Sequence, residues 1–132
     1  MFRTMSFADH MTRWNKQMIA FDLALGSGAL FAPRQTLKVL GHDDPSPDAE
    51  ALFRRCGPVW LTFAAAHATA AARGRSEDWW ALAWLRATEW ATDAVWASSS
   101  PAFTRPGARA GLWGAGVGNL AMSLGFAALA RR

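Results

Sequence analysis

The segment 110–130, AGLWGAGVGNLAMSLGFAALA, carries no charged side chain and is followed directly by Arg131 and Arg132. A helix rises about 1.5 Å per residue, so roughly 20 apolar residues cross the hydrocarbon core of a bilayer. The segment is apolar around its whole circumference, whereas a helix on a soluble surface keeps one polar face. It therefore predicts a membrane-spanning helix, and it restricts the fold to one that can accommodate such a helix.

The composition favours helices and a single domain. The chain has 132 residues, with 52% hydrophobic and 18% charged residues, and ordinary soluble domains carry about 25% charged residues. β-Branched residues are few, which disfavours strands. The net charge is +4, but the Lys and Arg residues are scattered between apolar runs, so nucleic acid is not an expected partner. The single Cys56 cannot form an intrachain disulfide.

Three further apolar segments precede the last one, separated by polar loops that are rich in turn-forming residues. We expect an all-α fold, a four-helix transmembrane bundle with short loops that forms one integral membrane domain over 1–132. The predicted helices lie roughly at 15–33, 49–72, 78–98 and 108–130. The first three reach membrane-spanning length only by including polar flanks or charges. A soluble, Trp-rich four-helix bundle is the alternative.

Several smaller features refine this prediction. Pro33 is expected to end or kink the first helix, and the following RQTLKVLG is a short amphipathic piece that Gly41 ends. Ser76 and the acids after it predict the start of the third helix. In the last segment, four glycines are expected to permit close helix packing, namely Gly111, Gly114, Gly118 and Gly125.

The third segment carries three charged residues, Arg86, Glu89 and Asp93, within the apolar run LRATEWATDAVW. Successive residues of a helix turn by about 100°, so all three lie on one stripe. A charge facing lipid costs several kcal/mol. The stripe is therefore expected to face the bundle interior or a water-filled cavity.

Two interpretations of the stripe stay open. In the structural one, Arg86 pairs with Glu89 three residues on, and Asp93 needs either a proton or a cation from another helix. Arg54, Arg55 and His67 are the candidate sources of that cation. In the functional one, Glu89 and Asp93 are catalytic acids or bases and Arg86 supports them.

The other polar residues of the apolar segments define a candidate ligand site. Asp22 and His67 are candidate ligand-binding residues, together with the indoles of Trp60 and Trp90. No spacing among the acids and His67 fixes a metal site, and no cofactor is identified. Asn119 and Ser123, four residues apart, are expected to bond across helices.

Two motifs carry a resemblance. The sequence FAPRQTLKVLG follows the first segment, and LFRRCGPVWL opens the second. These stretches resemble small four-helix bacterial membrane proteins of unknown function, loosely DoxX-like. In that family an Arg precedes a small-residue pair at the start of the second helix, which Arg54 or Arg55 with Gly57 matches. Its third helix carries an Arg, a polar residue, an acid and then a turn with Pro, which Arg86, Glu89, Asp93 and Pro101 match.

The expected function is an accessory subunit of a membrane assembly or a bundle that binds an apolar ligand. The expected partners are the lipid bilayer, other membrane subunits or a second copy, and an apolar small molecule. The alternative is an intramembrane enzyme that uses Glu89 and Asp93 on an isoprenoid- or quinone-like substrate. The resemblance implies the bacterial inner membrane, and a slight excess of Lys and Arg favours both termini in the cytoplasm.

Overall fold

The computed structural model describes residues 4–100 and 103–132, and these residues form an all-α fold. The five helices found there are α1 (Phe7–Phe31), α2 (Pro33–Val39), α3 (Pro47–Arg73), α4 (Ser76–Ser99) and α5 (Ala108–Ala130). The described part contains no strand, and one isolated bridge joins His42 to Phe103. The all-α prediction is confirmed. Pro101, the last element of the resemblance, lies outside the described residues.

Local capping explains where α1 and α2 begin and end. α1 begins at Phe7, ahead of the predicted start near residue 15, because Ser6 and Asp9 form a reciprocal capping box. It ends at Phe31, and Pro33 occupies the first turn of α2, where its missing N–H is not needed. Gly41 follows α2 with a φ of 106°, which suits glycine. The amphipathic piece predicted after Pro33 is thus a separate short helix.

α3 and α4 are joined by a turn of two residues. α3 starts after the cap Ser46, continues through Pro58, and stops at Gly74, whose φ is 63°. α4 begins at Ser76, as predicted, but the Ser76 hydroxyl does not cap the helix. It donates a hydrogen bond to the carbonyl oxygen of Ala130 at 2.6 Å. Ser76 therefore ties the start of α4 to the end of α5.

The four long helices run alternately up and down, and they associate mainly as two pairs, α1 with α3 and α4 with α5. A Cβ atom added to Gly26 would lie 2.9 Å from the carbonyl oxygen of Gly57, so these glycines permit the α1–α3 backbone contact. α1 and α5 touch only weakly. The weak α1–α5 contact leaves a gap between the two pairs.

Three of the four α5 glycines expected to permit close helix packing contact no other helix of the described residues. A Cβ added to Gly111, Gly114 or Gly118 would meet no heavy atom of the described residues within 4 Å. At Gly125 it would lie 2.6 Å from the Met11 sulfur. Only that glycine of the four lies against another helix, because its face of α5 points to the core that includes Met11.

The loops at the far end from the termini are held together by aromatic and ionic contacts. His42 packs against Trp96 and Phe103, with ring centroids 5.4 and 4.8 Å apart. Its burial lowers the pKa of the imidazole below the ordinary value of 6.5. Arg105 donates hydrogen bonds to Asp43, which lower the pKa of that carboxyl. These contacts link the α2–α3 loop to the α4–α5 loop.

Many large apolar side chains point outward. Exposed fractions reach 80% at Phe31, 71% at Trp84 and 64% at Leu124. By length and composition, one helix of the described chain is apolar enough to cross a membrane, α5, with a mean hydropathy of 1.4. This agrees with the prediction that segment 110–130 alone reaches that length without polar flanks.

Candidate functional site

The three charged residues of α4 lie on one face, as the sequence predicts, and all three line the same cavity. Arg86 is buried, with 1% of its surface exposed. Glu89 and Asp93 are half-buried. The stripe therefore faces the space between the helix pairs.

The guanidinium of Arg86 binds residues from the three other long helices. It forms an ion pair with Asp22 of α1 through Nη2. Its Nε donates to Nε2 of His67 on α3 at 3.0 Å, and its Nη1 donates to Oδ1 of Asn119 on α5 at 3.4 Å. One side chain thus connects α1, α3, α4 and α5.

The hydrogen bonds around His67 fix its protonation. Since Nε2 accepts from Arg86, the ring proton lies on Nδ1, which donates to Oδ1 of Asn15. The amide of Asn15 donates in turn to the backbone oxygen of His67 at 3.0 Å. Nε2 of His67 also lies 3.7 Å from Asp22, but a neutral imidazole makes no ion pair there. His67 is therefore a core histidine whose two ring nitrogens both have hydrogen-bond partners.

Glu89 and Asp93 each use one carboxyl oxygen within the protein. Trp60 donates from its indole nitrogen to Oε2 of Glu89 at 3.3 Å. Asn119 donates from Nδ2 to Oδ2 of Asp93 at 2.9 Å. No described residue donates to the second oxygen of either carboxyl group. Two acceptor atoms thus remain available beside the cavity.

The cavity has a volume of about 280 Å³ and lies between α1 and α5, with α3 and α4 behind it. Phe21 of α1 is 53% exposed and Ala115 of α5 is also exposed, so the cavity opens between these helices. Apart from Arg86, Glu89, Asp93 and Asn119, the wall is apolar. It consists of Trp14, Met18, Phe21, Leu25, Leu40, Trp60, Trp96, Leu112, Ala115, Gly118 and Met122.

The four predicted ligand-binding residues do not all lie at the cavity. Trp60 lines the cavity, as predicted. Asp22 and His67 lie behind Arg86 and do not reach the wall, because the guanidinium stands between them and the cavity. Trp90 does not line the cavity; it is 37% exposed and lies near Gly116.

Two predicted ion pairs are wrong. Arg86 pairs with Asp22 rather than with Glu89, because the carboxylate on α1 reaches Nη2 of the guanidinium in the interior. Arg54 and Arg55 are exposed and supply no cation to the stripe, because their positions on α3 face outward. The prediction for Asn119 and Ser123 is confirmed: Ser123 donates to the backbone oxygen of Ala83 on α4 at 2.7 Å.

Sequence reasoning missed Asn15, which is fully buried, and the indoles of Trp14 and Trp96. A signal existed, because Asn15, Met18 and Asp22 recur at three- and four-residue steps and so share one face of α1. Arg86, Glu89 and Asp93 of α4 recur at the same three- and four-residue steps.

No group of three His, Cys, Asp or Glu residues within 4–100 and 103–132 is placed to hold a metal ion. Cys56 is free and exposed. Comparison with protein families, with curated proteins and with solved structures finds no match to this chain.

Proposed function

We propose that the protein is a small integral membrane protein whose four long helices cross the bilayer. The support is the position of its charges. The stretches 17–31 of α1, 56–72 of α3, 79–98 of α4 and 110–130 of α5 are about 22–32 Å long, against about 30 Å for a bilayer core. Their only Asp, Glu, Lys and Arg residues are Asp22, Arg86, Glu89 and Asp93.

None of those four charged side chains lies on the outer surface of the bundle. Asp22 and Arg86 are buried together, and Glu89 and Asp93 line the cavity. The outward surface at the same level carries residues such as Trp84, which is 71% exposed. An outer surface with large apolar side chains and charges turned inward is the arrangement that lipid requires. In water, an exposed apolar area of this kind favours aggregation.

Within this setting, we infer that the protein binds an apolar or amphipathic small molecule in the cavity between α1 and α5. The cavity carries the inference, because ligand sites are concave and mostly apolar with a few polar groups. Its opening lies on the outer side of the bundle, where a molecule dissolved in lipid has access.

Native mass spectrometry of the protein released from nanodiscs tests the binding of such a molecule. Gly118→Phe fills the cavity, since Gly118 lines it and has open space at its Cβ position. Gly114→Phe is the matched control, because Gly114 has similar space on the same helix but does not line the cavity. We expect a co-purifying molecule in wild type and Gly114→Phe, and its loss in Gly118→Phe. A molecule retained equally by both variants would contradict the proposal, as would a wild-type protein that carries none.

A second candidate is an intramembrane enzyme that uses Glu89 and Asp93 as acid and base on the bound molecule. This candidate is supported by the two carboxyl groups beside the cavity, because one oxygen of each accepts no hydrogen bond from a described residue. Glu89→Gln and Asp93→Asn should then abolish conversion of the co-purified molecule while its binding continues. Unchanged conversion in both variants would exclude these roles.

The role of an accessory subunit is a further proposal, supported by the broad apolar outer surface. Blue-native electrophoresis of gently solubilised membranes tests it. Migration within a larger assembly supports the subunit role, and migration only as a monomer or a small homo-oligomer contradicts it.

A further inference from the structure

The charges around the cavity do not balance. Arg86 is the only cation of the described interior, and it is already matched by Asp22 in a buried ion pair. Within 4–100 and 103–132, the donors to Glu89 and Asp93 are both neutral, an indole and an amide. Two carboxyl groups therefore border an apolar cavity without a cation from the described protein. Anions in such surroundings are costly unless a positive partner compensates them.

The same cavity is walled by aromatic rings. Trp14, Trp60, Trp96 and Phe21 contribute from α1, α3 and α4. The face of an aromatic ring attracts a cation, and cages of such rings are used to recognise ammonium groups. The attraction is strongest where the cation is desolvated, as it is in an apolar cavity. The aromatic rings and the two carboxyl groups that border the cavity thus favour the same kind of ligand.

Resting on the proposed ligand-binding function, we propose that the cavity between α1 and α5 binds the ammonium group of an amphipathic amine. The two free carboxyl oxygens accept hydrogen bonds from the ammonium, and the surrounding indoles contact its positive charge and its first carbons. An anionic ligand is disfavoured, since Arg86, the cation of the described interior, is already paired with Asp22.

The size of the cavity sets the position of the ligand. At about 280 Å³, it is at the small end of ligand pockets, which measure about 300–1,000 Å³. The ammonium group and a short part of the chain fill it. A longer chain continues through the opening between α1 and α5, where Phe21 and Ala115 are exposed. In the proposed membrane placement that chain reaches lipid.

The test uses three probes of one shape and different charge: hexylammonium, hexanol and hexanoate. The full chain is labelled with 5-fluorotryptophan and placed in nanodiscs of zwitterionic lipid, and fluorine NMR follows each probe titration. Trp60 and Trp96 report on the cavity. The exposed Trp84 and Trp113 report on probe that merely partitions into lipid.

We expect hexylammonium to shift the Trp60 and Trp96 resonances with an affinity at least about tenfold higher than that of hexanol. The double variant Glu89→Gln, Asp93→Asn should lose this preference, and it keeps hydrogen-bonding groups of nearly the same shape at both positions. Glu77→Gln is the control, because Glu77 lies on the same helix and is exposed outside the cavity. The control should retain the full preference.

The outcomes separate this inference from the proposed function. If hexanol shifts the cavity resonances as strongly as hexylammonium, the cavity binds apolar molecules without regard to charge, and the amine proposal is overturned alone. Tighter binding of hexanoate overturns it as well. If no probe moves Trp60 or Trp96 while Trp84 and Trp113 respond, ligand binding itself is contradicted.

A second titration distinguishes the source of the amine. Octadecylammonium is added within the nanodisc lipid and compared with hexylammonium added from water. Saturation of the Trp60 shift by the long-chain amine alone supports a membrane lipid as the ligand. Saturation by the short amine at a similar level supports a water-borne amine. Failure of both amines to act overturns the proposal.

Discussion

Replacement of Arg86 by Met tests the role of the buried ion pair. The change removes the only cation that Asp22 contacts, and the second oxygen of Asp22 already lacks a hydrogen-bond partner in the described interior. It also leaves Nε2 of His67 and Oδ1 of Asn119 without a donor from Arg86. Removing one partner of a buried pair costs about 3–5 kcal/mol, because the other charge stays buried and unpaired. We expect a loss of that size in the free energy of unfolding.

The reverse change, Asp22→Leu, is expected to cost less. Glu89 and Asp93 share the α4 face with Arg86 and remain to balance its charge, whereas no described cation can replace Arg86 beside Asp22. The double variant Arg86→Met, Asp22→Leu removes both charges. Because apolar replacement of a whole buried pair is often close to neutral, it should be more stable than Arg86→Met alone.

The assay is an SDS titration of each variant in dodecyl maltoside micelles, followed by far-UV circular dichroism. A double-mutant cycle gives the coupling between the two side chains, which we expect to be at least about 2 kcal/mol. A cost below about 1 kcal/mol for Arg86→Met would contradict a stabilising role of the buried pair. Simple addition of the costs of the two single substitutions would contradict the coupling.

Two further predictions concern other parts of the fold. Gly26→Ala should destabilise the α1–α3 pair by about 1–3 kcal/mol, because its Cβ would meet the carbonyl oxygen of Gly57 at 2.9 Å. In the same titration Gly114→Ala, with open space at its Cβ, should be neutral or slightly stabilising; equal losses would contradict the contact. At His42, burial lowers the folded-state pKa, so the unfolded chain binds a proton that the folded chain excludes, and stability should fall as the pH drops below 6.5. His42→Phe should reduce this pH dependence, and an unchanged slope would show that His42 does not contribute.

Periodicity made the α4 stripe predictable. The positions of Arg86, Glu89 and Asp93 on one face follow from helix geometry alone. A charged face of this kind turns away from lipid and toward the interior of the bundle. The ion-pair partner of Arg86 could not be predicted in this way. Asp22 lies on α1, and the spacing of residues within one helix carries no information about which helices are neighbours. The local partner Glu89 was therefore favoured over the distant one.

For the α5 glycines, the sequence does not predict which of them contact another helix. Their small size is compatible with close packing, but it does not specify which face of α5 meets a neighbour. Only Gly125 of the four lies against another helix, beside Met11. Trp90 was misplaced for a similar reason, because an indole suits both a cavity wall and an outer surface. Asn15 lies two helical turns before Asp22, so its position on the inner face of α1 could have been predicted from the sequence.

The proposed placement in lipid is tested most directly by removing detergent from the purified chain and measuring its size distribution by light scattering. The apolar outer surface at the level of Arg86 and Trp84 predicts that the protein aggregates once detergent falls below its micelle concentration, and that reconstitution into nanodiscs restores a uniform particle. A monodisperse, folded protein in plain buffer would contradict a membrane position for the four helices.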